Sequence, residues 1–427
     1  MSAPQSTATE NADLKIPAGN ITPAIQHSGR WKIPLVLMVT MYIGYLDRMN
    51  ISLALPLIAE EMQWSLSDKQ YYGGLLMSCF YMAYGLANLF LTPFAARLGP
   101  RKSLLIIIVL WSVFTSLGAV FSHLLLVFIA SRILLGISEG THVPMMNQLT
   151  KNWFTDNERS RATGIWMAGL FMAILTGPLL LVPVMHHFGW RSGFHLLAIA
   201  GLLLSLPLVY LFVKDHPPKQ DDHSDFDNSS QPQRYALWQV IRSPAYIAAQ
   251  CMGIFNNMLA VGISNWMPSY LSSRDDVEYS DLAYLNAVPY AFSLLALFAF
   301  TWIGDKTSRR ALNAAICFFL GGLTLFLSFN QESLMVTMLG FTLGVCCITA
   351  FTACEHPVVQ RLFPQHLVAQ GSGVFNGTAM ILGGGLGTFL VGQIMADSNF
   401  QVNIWPLFFL CVAASISGVF LHKIIRF

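Results

Sequence analysis

Long apolar runs alternate with short polar connections along nearly the whole chain. Runs of about twenty apolar residues are long enough to cross the hydrocarbon core of a bilayer as helices. We predict twelve such helices, in two sets of six, and therefore an all-α membrane protein. The predicted spans are 32–58, 70–96, 102–122, 124–152, 161–187, 191–213, 244–271, 282–304, 310–330, 333–360, 368–395 and 402–424.

Composition supports the same class. Of the 427 residues 54% are hydrophobic and only 11% are charged, whereas soluble domains carry about 25% charged residues. The seven cysteines fall in apolar segments, which favours small buried side chains over disulfides or a metal site. No nucleophile–base arrangement has a credible context, so we expect no catalytic residues, no enzyme activity, no metal and no nucleic-acid partner.

The polar segments divide the chain into four regions. We predict a disordered cytoplasmic tail (1–28), an amino-terminal six-helix bundle (29–213), a cytoplasmic linker (214–243) and a carboxyl-terminal six-helix bundle with a short cytoplasmic tail (244–427). With both termini inside, nineteen of the twenty-four Lys and Arg residues fall on one side of the membrane. This bias predicts a multi-pass protein of the cell's inner (plasma) membrane with both termini in the cytoplasm.

The two halves resemble each other at a fixed offset. Arg101 after the second span aligns with Arg309 after the eighth, 208 residues further on. A duplicated six-helix unit is typical of rocking transporters, whose substrate site lies at the interface of the halves near the midplane. At the same offset Arg48 of span one corresponds to Asn256 of span seven, so we expect Asn256 to offer the substrate an amide where span one offers a charge.

Two charged residues lie near the middle of the first span. Asp47 and Arg48 each cost roughly 2.5–3.5 kcal/mol at that depth on insertion scales, and such residues usually line a polar pathway. One interpretation is a static ion pair that stabilises the bundle. However, adjacent helical residues point about 100° apart, which favours two groups that face different partners in a binding and coupling device.

Span four carries a second pair of charges. Arg132 and Glu139 are seven residues apart, so they share one helix face about 10 Å apart along the axis. They form either a permanent pair that locks the bundle or part of the coupling device. Arg binds carboxylates through its fork, and a desolvated carboxylate takes up a proton. We expect Arg48, Asp47 and Glu139 to share one water-accessible chamber.

Several segments together resemble one known family. They are Gly-Tyr-Leu-Asp-Arg-Met-Asn at 44–50, Ser-Arg-Ile-Leu-Leu-Gly-Ile-Ser-Glu-Gly at 131–140, Trp-Met-Pro-Ser-Tyr-Leu at 266–271 and Gly-Val-Phe-Asn at 373–376. The chain from about residue 31 to 424 is similar to the anion:cation symporter branch of the major facilitator superfamily. The resemblance implies the major facilitator fold and uptake of sugar acids or other organic anions with protons or Na⁺.

The resemblance also implies roles for individual residues. Arg48 would anchor the anion, and Asp47 and Glu139 would be the proton-responsive carboxylates. Arg132 would be the intramembrane partner that senses their charge. Hydrogen bonds around the substrate would come from Tyr45, Tyr84, Asn88 and Asn376.

Other positions are less determined by the pattern. Trp266 is a candidate pocket or outer-gate residue. Glu355 and His356 lie near the cytoplasmic end of span ten. They are gate residues that pair with a neighbouring Lys or Arg, a second proton or cation site, or a contact to a positively charged part of the substrate. The loop after span two keeps the family's basic residues but lacks its Asp, which predicts a weaker cytoplasmic charge clamp in the amino-terminal half.

These observations together favour proton-coupled symport of a small organic anion by alternating access. A sugar acid, an aromatic acid or a di- or tricarboxylate would suit an Arg-centred cavity. We expect no cofactor beyond the coupling ion (a proton, or Na⁺ as the alternative), the lipid bilayer as environment, and function as a monomer. The main alternative is a proton-driven exporter of a drug or acidic metabolite with the same fold.

Overall fold

The computed structural model describes residues 29–154, 156–216, 237–307, 309–329, 331–363, 368–394 and 405–424, and these are almost entirely helical. The predicted tail 1–28 and most of the predicted linker (217–236) lie outside the described residues. The long helices are Lys32–Glu61 (α1), Leu66–Phe90 (α2), Pro100–Val120 (α3), Leu125–Trp153 (α4), Asp156–Phe188 (α5), Trp190–Phe212 (α6), Pro244–Leu271 (α7), Leu282–Thr307 (α8), Arg310–Ser328 (α9), Leu334–Leu362 (α10), Gln370–Ile394 (α11) and Trp405–Ile424 (α12).

Every long helix except the first is apolar enough throughout to cross a membrane. Eleven helices in the described ranges satisfy that test by length and composition. The exception is α1, whose 30 residues carry Asp47, Arg48 and Asn50 near the centre. A helix of that length spans about 45 Å, more than a hydrocarbon core of about 30 Å. We therefore count α1 as the twelfth span.

The second span differs from its predicted limits of 70–96. The helix begins earlier, at Leu66, because Ser65 and Asp68 form a reciprocal capping box at its first turn. It ends at Phe90, and a separate short helix, Thr92–Leu98, follows with a Pro in its first turn. Proline has no backbone N–H and is tolerated at the start of a helix rather than in its interior.

Helix packing repeats between the halves. In the amino-terminal half α1 packs on α5, α2 on α4, and α3 on both α4 and α6. In the carboxyl-terminal half α7 packs on α11, α8 on α10, and α9 on both α10 and α12. The halves meet through the pairs α1–α7, α2–α11 and α5–α8. Exchanging the halves converts the α2–α11 contact into the α8–α5 contact, so the two bundles are pseudo-symmetric.

A carboxylate from beyond α6 closes the start of α3. Asp215 Oδ1 accepts a hydrogen bond from the Arg101 backbone N–H at 2.7 Å, next to Gly99 with its positive φ of 90°. The Asn152 side chain at the end of α4 donates to the Asp215 carbonyl at 2.9 Å. The loop after α2 lacks its own Asp, which is why the sequence predicts a weaker cytoplasmic charge clamp there. In the structure, Asp215 supplies this loop with a carboxylate from another part of the chain.

The ends of the two halves on the predicted outer side are in contact. The Tyr279 hydroxyl, just before α8, donates to the Leu53 carbonyl of α1 at 2.9 Å. Its ring stacks on His186 at the end of α5, with 6.1 Å between centroids. Tyr71 of α2 also meets Phe389 of α11 edge-on at 6.0 Å. Aromatic side chains thus close the outer side of the interface.

Candidate functional site

Arg48 lies at the centre of α1 and is only 5% exposed. Its Nε donates to Glu139 Oε2 of α4 at 2.7 Å. Its guanidinium carbon lies 4.5 Å from the ring centroids of both Tyr45 and Tyr84, so two aromatic faces hold the cation. Nη2 has no hydrogen-bond partner among the described residues. The structure thus brings Arg48 together with two predicted hydrogen-bonding residues and one predicted proton carboxylate.

Asp47 faces a different helix from its neighbour Arg48. Thr115 Oγ1 of α3 donates to Asp47 Oδ2 at 2.5 Å, while Oδ1 has no partner in the described part of the chain. The divergence is the one expected for adjacent helical residues. Sequence reasoning did not name Thr115. The available signal was a hydroxyl within an apolar span, one turn from Ser112.

The two charges of α4 do not pair with each other. Among the described ion pairs, Glu139 bonds to Arg48 and none joins Glu139 to Arg132. The Arg132 guanidinium carbon lies 5.0 Å from the ring centroid of Phe80, and its Nε and Nη1 have no hydrogen-bond partner there. A permanent Arg132–Glu139 lock, one of the two interpretations drawn from the spacing, is therefore absent from this arrangement.

Glycines bring α4 close enough to α2 to build this cluster. A Cβ at Gly136 would collide with the Phe80 carbonyl oxygen, and one at Gly140 would lie 2.6 Å from the Tyr84 carbonyl oxygen. Small residues at such positions let helix backbones approach closely in membranes. Glu139 lies between the two glycines, and α2 supplies the Tyr84 ring. The close approach thus positions both groups around Arg48.

The four charged groups of the cluster are all buried. Asp47, Glu139 and Arg132 are 2%, 0% and 2% exposed, whereas Tyr45 beside Arg48 is only half-buried. The carboxylates thus lie buried within the amino-terminal bundle, where Glu139 contacts Arg48 and Asp47 contacts Thr115. The structure joins Arg48 directly to Glu139, and the single water-accessible chamber shared by Arg48, Asp47 and Glu139 stays a prediction.

The remaining predicted substrate residues are not joined to Arg48 by any described hydrogen bond. Asn88 of α2 and Asn256 of α7 are buried, and both have side-chain amide atoms without partners among the described residues. Asn376 of α11 is half-buried. Trp266 is 1% exposed and donates from Nε1 to the Thr388 carbonyl at 2.8 Å. It joins α7 to α11 instead of lining the Arg48 cluster.

Three further titratable residues have no described hydrogen bond to Arg48. Glu355 is a half-buried residue of α10, and the side chain of His356 lies outside the described residues. His142 of α4 is 1% exposed and its Nε2 lies 3.3 Å from Thr40 Oγ1. No group of three or more His, Cys, Asp or Glu side chains in the described ranges could hold a metal ion.

The chain was compared with known families and proteins. A family model described as Major Facilitator Superfamily matches residues 37–421. The chain is 24% identical over 382 residues to the hexuronate transporter of Bacillus subtilis (strain 168), covering 85% of this chain and 88% of that protein. It is 26% identical over 312 residues to a probable L-galactonate transporter of Escherichia coli (strain K12), covering 70% and 67% of the two chains.

Another relative and two solved structures agree in family or fold. The chain is 28% identical over 319 residues to a probable sulfoacetate transporter of Cupriavidus necator, covering 72% and 71%. A bacterial homologue of the human lysosomal transporter Spinster, in an inward-facing and unoccupied conformation, superposes with a TM-score of 0.72 at 18% identity over 93% and 95% of the chains. A D-xylose–proton symporter gives 0.70 at 16% identity over 93% and 98%. The chain, matched by the family model over most of its length, belongs to the Major Facilitator Superfamily, whose members are membrane transporters and not enzymes.

Proposed function

We propose that this transporter imports a small organic anion together with protons, by alternating access, across the cell's inner (plasma) membrane. The observation that carries the proposal is Arg48. It is a buried cation held between two aromatic rings, bonded through one nitrogen to Glu139 and with Nη2 unpartnered among the described residues.

The surroundings of Arg48 favour an oxygen-rich anion as the substrate. A guanidinium presents several N–H donors in one plane and binds carboxylates bidentately. The neighbouring Tyr45 and Tyr84 carry hydroxyls that can both donate and accept hydrogen bonds. The names of the relatives, which include hexuronate, L-galactonate and sulfoacetate transporters, point to the same chemical class.

The charge balance of the cluster supports coupling to protons. Two cations, Arg48 and Arg132, face two carboxylates, Asp47 and Glu139, so the fully ionised cluster is neutral. A bound anion adds an uncompensated negative charge, which costs several kcal/mol in a poorly solvated site. One proton on a carboxylate for each negative charge of the substrate restores neutrality. Transport is then electroneutral, with the proton number equal to the anion's charge.

Glu139 connects the two binding events. It accepts a hydrogen bond from Nε of Arg48, so an incoming carboxylate competes with it for the same guanidinium. A Glu139 displaced from its cation in a buried site takes up a proton more readily. Substrate binding and protonation therefore favour each other. After the inner side opens, proton release lets Glu139 return to Arg48 and expel the anion.

Uptake into proteoliposomes tests the proposal, with labelled glucuronate, galactonate and sulfoacetate as probes. We expect an acidic exterior to drive accumulation, and replacing Na⁺ by choline to leave it unchanged. Arg48→Ala should abolish uptake, and Asp47→Asn and Glu139→Gln should each remove its response to the proton gradient. Arg242→Gln is the control, because Arg242 is exposed before α7 and its guanidinium carbon lies over the Trp238 ring.

Specific outcomes would contradict the proposal. If accumulation follows a Na⁺ gradient at constant pH, the coupling ion is Na⁺ and not the proton. Full gradient response in both carboxylate variants would remove them from the coupling mechanism. The exporter alternative predicts that an imposed proton gradient drives loaded anion out against its concentration gradient, in vesicles where the protein has one known orientation.

A further inference from the structure

A hydroxyl on α3 contacts Asp47, the carboxylate of α1, which has no described hydrogen bond to Arg48. Thr115 Oγ1 donates to Asp47 Oδ2 at 2.5 Å. Both residues are 2% exposed, so bulk water does not compete for this contact. Thr115 does not belong to the segments that resemble known transporters, and the mechanism above assigns it no role.

No other described hydrogen bond holds the Asp47 carboxylate. Its Oδ1 has no partner among the described residues, although Arg132 also has unpartnered nitrogens. The charged groups that face Asp47 are Glu139 and Arg132 from α4 and Arg48 from α1. Glu139 and Arg48 are engaged with each other. Thr115 is thus the one described donor that fixes the position of this carboxylate.

A threonine hydroxyl suits a group that must exist in two protonation states. It has one donor and two acceptor positions and rotates freely about its C–O bond. It can donate to the ionised carboxylate and, after a rotation, accept from the protonated acid. Without this donor, the buried Asp47 would lose more stabilisation in its ionised form than in its protonated form, because hydrogen bonds to charged groups are the stronger ones.

We infer that Thr115 is a positioning residue for the proton carried by Asp47, which it holds in place in both protonation states. The inference rests on the proposed proton coupling. It also assigns the two carboxylates different surroundings, with Glu139 governed by Arg48 and Asp47 governed by a neutral hydroxyl. Removing the hydroxyl should therefore change when Asp47 binds its proton without removing the substrate-binding guanidinium.

The carboxylic-acid band in infrared titrations of purified protein in lipid reports this directly. The signal of Asp47 is the band that Asp47→Asn removes. In Thr115→Val we expect that band to titrate at higher pH, by about one pH unit, a tenfold change in proton concentration for the loss of one charge-assisted hydrogen bond. Thr115→Ser keeps the hydroxyl and should titrate as the wild type.

The internal repeat supplies a matched control. Thr324 lies in α9, the helix of the other half that corresponds to α3, and its hydroxyl donates to the Gly321 carbonyl of its own helix. Thr324→Val should leave the Asp47 band unchanged. If Thr115→Val does not accumulate in the membrane, Thr115→Ala removes the same hydroxyl without placing a methyl group against the Asp47 carboxylate.

Each result has a defined meaning. A wild-type titration in Thr115→Val or Thr115→Ala would overturn the inference, and so would a Thr115→Ser band that moves as far as that of the valine variant. Proton-gradient-driven uptake that survives Asp47→Asn would instead overturn the proposed role of Asp47 in coupling, even where the infrared band shifts as expected. The two failures are therefore distinguishable.

Discussion

The buried Arg48–Glu139 pair predicts a specific pattern of stability in three variants. Arg48→Met removes the cation and keeps an unbranched side chain between the two tyrosine rings. Glu139→Gln removes the negative charge and keeps an oxygen that can still accept from Arg48 Nε. The double variant removes both charges. Only the single variants leave the four-residue cluster with an unbalanced charge.

The magnitudes follow from burial. The side chains of Arg48 and Glu139 are 4% and 0% exposed, and removing one partner of a buried pair costs about 3–5 kcal/mol. We expect that loss for Arg48→Met, which leaves two carboxylates beside Arg132. Glu139→Gln keeps a hydrogen bond and should cost less, about 1–3 kcal/mol. The double variant retains one cation and one carboxylate, and should recover at least half of the larger loss.

Thermal unfolding in detergent, followed by tryptophan fluorescence, measures this order of stability. The matched control is the Arg191–Glu61 pair at the predicted outer surface, whose side chains are 36% and 46% exposed. Exposed pairs contribute at most about 1 kcal/mol, so Arg191→Met should lower the unfolding temperature far less than Arg48→Met. Uptake should be lost in both variants that lack Arg48, whatever their stability.

Two results would refute the reasoning. If Arg48→Met is as stable as the wild type, an unbalanced charge in this buried cluster has no measurable cost. Additive losses in the double variant would mean that the two residues act independently. In either case the charge-balance argument for proton coupling would lose its physical basis.

Two further predictions concern packing and the closed outer side. Gly136→Val should strongly reduce the amount of folded protein in the membrane, because the new side chain meets the α2 backbone and overpacking costs about 1–3 kcal/mol or more. Gly164→Val is the control and should be tolerated, because a Cβ at Gly164 meets only open space. Tyr279→Phe removes an interhalf hydrogen bond worth about 0.5–1.5 kcal/mol, and should raise severalfold the labelling of a cysteine at Phe389 by an impermeant thiol reagent. Tyr284→Phe, at an exposed position, should leave the labelling unchanged. Equal labelling in both variants would contradict a role of the Tyr279 hydrogen bond in holding the outer side closed.

The span pattern was predictable because a bilayer imposes it. Each helix must bury about twenty apolar residues in lipid, and the polar connections cannot do so. The predicted limits failed where local chemistry decided them. Ser65 and Asp68 cap α2 four residues before its predicted start, and a Pro starts a new short helix after Phe90. Such caps depend on side-chain contacts that hydropathy does not describe.

The partners of the charged residues were less predictable than their positions. Spacing along α4 places Arg132 and Glu139 on one face, but the rotation of α4 against α1 decides that Glu139 meets Arg48. The same holds for Thr115 on α3 and for Asp215, which supplies a carboxylate to Arg101 from beyond α6. Contacts between distant segments require the packed arrangement, which one sequence does not specify.

The adjacency of Asp47 and Arg48 explains how one helix can serve two tasks. Their side chains diverge by about 100°, so Arg48 meets α2 and α4 while Asp47 meets α3. On α2, Tyr81 lies one turn before Tyr84 and packs against Gly384 of the other half, which places the Arg48 side of the cluster nearer the interface. Asp47 lies deeper in its own bundle. In the proposed mechanism, a substrate bound on the Arg48 side of α1 affects the Asp47 proton through Glu139, Arg132 or movement of α1. The anion and the proton then bind on different sides of α1 and are coupled through charge.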